Sequence, residues 1–177
     1  ALSVEFIGPR EDENEQSARR LNLGDAVAFR DPLAHADILR AQRAAHILLL
    51  VKHDNPRYDG LVPGKLYEYI GLCRPVLALA PAGEARELVV SLRRGEVASP
   101  SSVDEIERAL RVMLAHHRAG RLDAAHDLSA RPEIDRRRLA GDVAAVIAEV
   151  LVADNTIGKS FDLLGGETPI PEAVRSL

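Results

Sequence analysis

"HILLLVKHDNPRYDGLVPGKLYEYIGLCRPVLALA", residues 46–80, carries the reading of the fold. It opens with five consecutive apolar residues after His46 and closes with a second apolar run, residues 75–80, led by Pro75. Runs of this length, bounded by turn residues, read as strands buried on both faces. Between them lie a loop, residues 52–63, and a helical stretch, residues 64–72. Two buried strands joined through a helix are a parallel pair, because parallel strands need a long crossover.

The same alternation continues outward. Upstream, residues 2–8 read as a strand ending at Gly8-Pro9. Residues 12–23 follow as a polar helix closed by Gly24, residues 26–30 as a short strand, and residues 32–45 as a helix with Pro32 suited to its first turn. Downstream, residues 83–94 read as a helix, 95–100 as a weak strand and 102–117 as a strongly amphipathic helix. Ser102 and Glu105 there have the spacing of a capping box. Strand–helix alternation of this kind predicts an α/β fold, a Rossmann-like doubly wound parallel sheet with helices on both faces. Ligands of such sheets sit beyond the carboxyl ends of the strands, which points to the loop after residue 51.

Composition agrees. Of 177 residues, 46% are apolar but only 3% aromatic, so the core is built from Leu, Ile, Val and Ala. The net charge of -4 gives no global basic field for nucleic acid. Arg136-Arg137-Arg138 is too short a run to serve as a polyanion site. A single cysteine, Cys73, excludes an internal disulfide framework and is compatible with a cytoplasmic setting. No signal peptide is visible in these residues and no apolar run reaches membrane-spanning length. Cys73 reads as a small buried hydrophobe. The six histidines are scattered without metal-ligand spacing, so no metal site is expected.

Two of the three tyrosines, Tyr67 and Tyr69, flank Glu68 on the helix that starts at Gly64. Helical spacing puts Leu66, Tyr69, Ile70 and Cys73 toward the sheet and brings Lys65 near Glu68. A helix start offers unpaired N–H groups and the positive end of a dipole. With Gly64 leaving room and Lys65 adding charge, a diphosphate fits there, and Glu68 is placed to accept bonds from sugar hydroxyls. Residues 64–68, with Gly64, Lys65, Leu66 and Glu68 as contacts, are the candidate site. The plain alternative is ordinary turn chemistry followed by a surface ion pair.

"VPGKLYEYIGLCRPVLALAPAGEARELV" resembles the donor-binding segment of GT-B glycosyltransferases of the group-4-like kind. Residues 21–51 and 95–114 are similar to the flanking segments of that family, so the resemblance covers roughly residues 2–120. It implies that Gly64 and the following backbone meet the donor diphosphate, that Lys65 neutralises phosphate charge and that Glu68 holds the ribose. The broader family often has another glutamate eight residues before the one that Glu68 matches, contacting the transferred sugar, and that position is Gly60 here. His53 and Asp54 are loop candidates near the donor sugar, more readily read as solvated. The family's first donor-domain strand and its amino-terminal acceptor domain have no counterpart, which implies a chain inactive alone and a missing acceptor-domain partner. The resemblance implies a nucleotide diphosphate sugar as donor substrate, with no other cofactor.

The end of the chain differs in texture. Residues 134–175 resemble the carboxyl end of NAD(P)-binding short-chain-reductase-like proteins, although Tyr58, Tyr67 and Tyr69 each lack a lysine four residues on and no Gly-rich fingerprint occurs. This divides the chain into residues 1–120, an incomplete donor-binding domain, and 121–177, an appended helix–strand–turn segment packing on the same sheet. The two resemblances suggest a chimera. The alternative functions are a non-catalytic or engineered α/β module with a relic phosphate pocket, and an NAD(P)-binding protein.

Overall fold

The computed structural model describes residues 2–55, 60–134, 141, 144–150, 153 and 171–172. In chain order these contain β1 (Val4–Ile7), α1 (Asp12–Arg20), β2 (Val27–Arg30), α2 (His35–Ala44), β3 (Leu48–Val51), α3 (Gly64–Gly71), β4 (Val76–Leu79), α4 (Glu84–Ser91), β5 (Gly95–Ala98) and α5 (Val103–Arg118). Every strand pair is parallel, as the alternation requires.

Among the described residues the strands form two hydrogen-bonded sheets, one of β1 and β2 and one ordered β3-β4-β5. The single sheet expected from sequence is therefore divided between β2 and β3. The central position belongs to β4, and β3 lies at a sheet margin despite its apolar run. The strands are four residues each, so each pairing is short.

The core lies in the three-stranded half. Side chains of successive strand residues point to opposite faces. Leu48, Leu50, Val76 and Ala78 meet Leu66, Tyr69 and Ile70 of α3 and Ala85 and Val89 of α4. Leu77, Ala98 and the partly buried Ile47, Leu49 and Leu79 meet Ala109 and Met113 of α5, with Leu122 beyond it. Helices thus cover both faces of this sheet. Each fully buried Leu, Ile, Val or Met contributes roughly 1.5–3 kcal/mol. By contrast β1, α1, β2 and α2 contain no fully buried residue. The first pair is held by the stacked rings of Phe6 and Phe29, 5.4 Å apart in register. Arg10 also bonds Asp31 at 2.9 Å and Glu15 at 3.2 Å.

Helix ends correct two expectations. α1 is closed by Asn22, in the left-handed conformation with φ 51°, rather than by Gly24. Leu23 N–H then reaches Ala18 O and Asn22 N–H reaches Arg19 O, which satisfies the last carbonyls. Arg93 closes α4 in the same way. α2 starts at His35 after an extended Ala34, so Pro32 precedes the helix instead of opening it. The Ser102–Glu105 box is half formed. Ser102 Oγ accepts from Glu105 N–H at 3.3 Å, but the Glu105 carboxylate accepts from Ser99 N–H at 2.9 Å.

Beyond α5 the chain returns over the amino ends of β4 and β5. Leu122 is buried, Asp127 N–H bonds Arg93 O at 3.0 Å and Arg94 donates to Ser129 O. Residues 144–150 are helical. Residue 141 is helical as well, while the other residues of the expected helix 139–152, the strand "SFDLL", the Gly165-Gly166 turn, the arginines 136–138 and Tyr58 lie outside the described residues. No helix among the described residues is long and apolar enough to cross a membrane.

Candidate functional site

The amino end of α3 follows the loop that leaves the carboxyl end of β3. Pro63 occupies the cap position in an extended conformation, φ -59° and ψ 134°, and no side chain bonds the helix start. Leu66 N–H is taken by Pro63 O at 2.9 Å. The N–H groups of Gly64 and Lys65 have no hydrogen-bond partner among the described residues, and both residues are exposed. Proline supplies no capping oxygen, so this helix start keeps donors and dipole turned to solvent.

Lys65 and Glu68 make no ion pair with each other or with any described residue, which sets aside the plain surface-pair reading. Glu68 is half-buried. Leu66 is fully buried against the sheet, and with its N–H engaged neither its side chain nor its amide is available. Of the four expected contacts, three remain open to solvent.

Tyr69 is accounted for by packing. It is buried, and its hydroxyl donates to Leu49 O at 3.4 Å. Burial, and next the Glu68 charge, push its phenol above the ordinary value. Tyr69 therefore stays neutral and serves β3, not a ligand.

His53 and Asp54 are exposed in the loop, in keeping with solvated residues. The residue before them was not singled out from sequence. Lys52 is buried, with its N–H bonded to Leu79 O at 2.9 Å, at the carboxyl end of β3. A lysine directly after a five-residue apolar run was the available signal. Arg86 was also missed. From α4 it donates to Ala80 O at 3.3 Å and lies 3.9 Å from Glu105. Arg86, Glu96, Glu105 and Arg108 line a hollow of about 260 Å³ beside β5. Neither this hollow nor a second, open one over α4 includes the start of α3, which is open surface.

At the opposite pole the fold gathers histidines that look scattered in sequence. His46 meets His117 edge-on with ring centres 4.6 Å apart, and His116 stacks on His126 at 6.2 Å. No group of three or more His, Cys, Asp or Glu side chains suited to a metal occurs among the described residues.

The chain is similar in fold to HepE of Anabaena. That protein's crystal structure is of its complex with UDP, and the likeness has a TM-score of 0.64 at 19% sequence identity. It takes in 83% of this chain and 41% of that one, so this chain spans less than half of HepE's length. No protein-family profile matches the sequence. No curated protein matches it either. At this identity the likeness establishes the Rossmann-like α/β architecture.

Proposed function

We propose that this chain is the donor-binding half of a GT-B glycosyltransferase and binds a nucleotide diphosphate sugar at the amino end of α3. The uncapped, solvent-facing start of that helix carries the reading, since it holds two unpaired N–H donors beside Lys65 at a strand's carboxyl end. The N–H groups of Gly64 and Lys65 bind the diphosphate, and the Lys65 ammonium neutralises it. Glu68, one turn on, accepts from the ribose hydroxyls. The UDP held by HepE, a protein of similar fold, supports the ligand class.

In such an enzyme this half binds the leaving nucleotide and stabilises charge building on its diphosphate. The open surface at α3 forms one wall of the cleft, and an acceptor-binding domain supplies the other. The catalytic residues lie outside this assignment. The division at residue 120, and the reductase-like origin of residues 134–175, belong to the same proposal.

Calorimetric titration with UDP, and in parallel with a nicotinamide dinucleotide, tests it. Saturable UDP binding that Lys65→Ala weakens supports the assignment. Equal UDP affinity in wild type and Lys65→Ala removes Lys65 from the site. Preference for the dinucleotide replaces the donor reading with a nicotinamide one.

A further inference from the structure

β5 stands at one margin of the β3-β4-β5 sheet, and among the described residues no strand pairs with its outer edge. Val76 N–H bonds Arg94 O and Ala80 N–H bonds Ala98 O, each at 2.9 Å. Arg94 and Ala98, and Glu96 between them, thus turn their backbone groups to β4, while Gly95 and Val97 turn theirs outward. An open ladder of this kind is a template for another strand, and proteins ordinarily blunt it with Lys or Pro. β5, with the sequence GEVA, carries neither, and its one charge is Glu96.

Two helices flank this edge, α4 on one face of the sheet and α5 on the other. The hollow of about 260 Å³ runs between them, with Arg86 on the α4 side, Arg108 and Val112 on the α5 side and Glu96 and Val97 of β5 at its floor. Glu96 shares the α5 face with Ala98, two residues on. The rim is apolar as well as charged. Val112 is 37% exposed, and Val90, one turn beyond Arg86 on α4, is 55% exposed. Arg86 and Glu105 are committed to each other, to Ala80 O and to Ser99 N–H. Glu96 and Arg108 make no ion pair with any described residue, and Arg108 is exposed. Two opposite charges are thus left over beside one open strand edge.

We propose that this edge is an interface between two copies of the chain, with β5 of one paired antiparallel to β5 of the other about a two-fold axis. A two-fold contact must be self-complementary, because the same patch meets itself. A patch of one charge sign would repel its copy, whereas this one carries both signs. With the axis normal to the sheet, the α5 faces of both copies lie on the same side, and Arg108 of each copy meets Glu96 of the other. The two ion pairs form together. The outward groups of Gly95 and Val97 complete a ladder, and two three-stranded sheets become one of six strands. Val90 and Val112 lose exposure against the second copy. The surface lies at the margin opposite β3, apart from the start of α3, and does not depend on nucleotide binding.

Sedimentation equilibrium of the full chain at pH 7, over about 1–200 μM, reads the association directly. The mass is expected to rise toward that of two chains. Glu96→Arg and Arg108→Glu each set like charges against each other twice across the axis, and each should weaken association at least about tenfold. Mixed in equal amounts the two variants should recover it, because their heterodimer holds one native pair and one pair of reversed sign. A charge needed only for the fold of a single copy is not rescued by a second copy. A chain that stays monomeric throughout overturns the proposal and leaves the edge to a strand of another origin. A dimer that neither reversal weakens overturns it too, as do folded variants that fail to recover on mixing. Circular dichroism checks the fold of each variant. If either does not fold, Val112→Glu on the exposed rim takes its place, and unchanged association in that variant overturns the proposal.

Discussion

Successive helical residues point about 100° apart, and at the start of α3 that angle separates exposed Lys65 from fully buried Leu66. Substitutions there divide cleanly. Lys65→Ala removes a solvated charge and leaves the core alone, so the expected result is at least about tenfold weaker UDP binding, about 1.4 kcal/mol, with an unchanged melting temperature. Leu66→Ala opens a cavity under the sheet, and urea denaturation is expected to show a loss of about 2–5 kcal/mol. Gly95 is constrained by contact. A Cβ there would lie 1.8 Å from Val76 O, which is backbone and part of the β4–β5 ladder. Gly95→Ala must push the strands apart, and a midpoint shift equivalent to at least about 1–3 kcal/mol is expected.

Elements are set by their ends as much as by their interiors. α5 is the longest helix among the described residues and has the one side-chain cap found there, Ser102 Oγ on Glu105 N–H. Its Asp104 and Glu105 at the start, and His116, His117 and Arg118 at the end, complement the helix dipole. Ser102→Ala should lower stability by about 1 kcal/mol, measured by urea denaturation, and Ser102→Asp should restore it. α3 is the contrast, with no cap at all. Its start is the less stabilised of the two, and on the proposed reading a donor phosphate takes the place of the missing oxygen.

Among the described residues, histidines from α5 and the following segment gather at the amino pole of the β3-β4-β5 sheet. At the amino pole His126 has its Nε2 buried without a hydrogen-bond partner. Burial, then the neighbouring His116, hold its pKa below the ordinary 6.5, with Arg93 adding to the effect and Asp123 opposing it. The unfolded chain therefore takes up a proton at a pH where the folded chain does not. Stability is full above about pH 6.5 and falls as pH drops below that value toward the folded pKa. Denaturation midpoints measured down to pH 5 should show this decline, and His126→Asn should flatten it. An identical slope in the variant would assign the pH response to other groups.

Sequence alone determined the alternation of strands and helices, the parallel pairing and the faces of α3 and α5. Each follows from local periodicity and crossover length, which a chain expresses without knowing its neighbours. The open start of α3 is legible for the same reason, since a helix start offers unpaired N–H groups and Gly64 leaves room there. Tertiary structure decided the rest. The position of β3 at a sheet margin and the burial of Lys52 depend on contacts between segments distant in sequence. Nothing in the spacing of His46, His116, His117 and His126 announces their convergence. Their positions are fixed only when α5 packs on the sheet and the following segment folds back across its amino end.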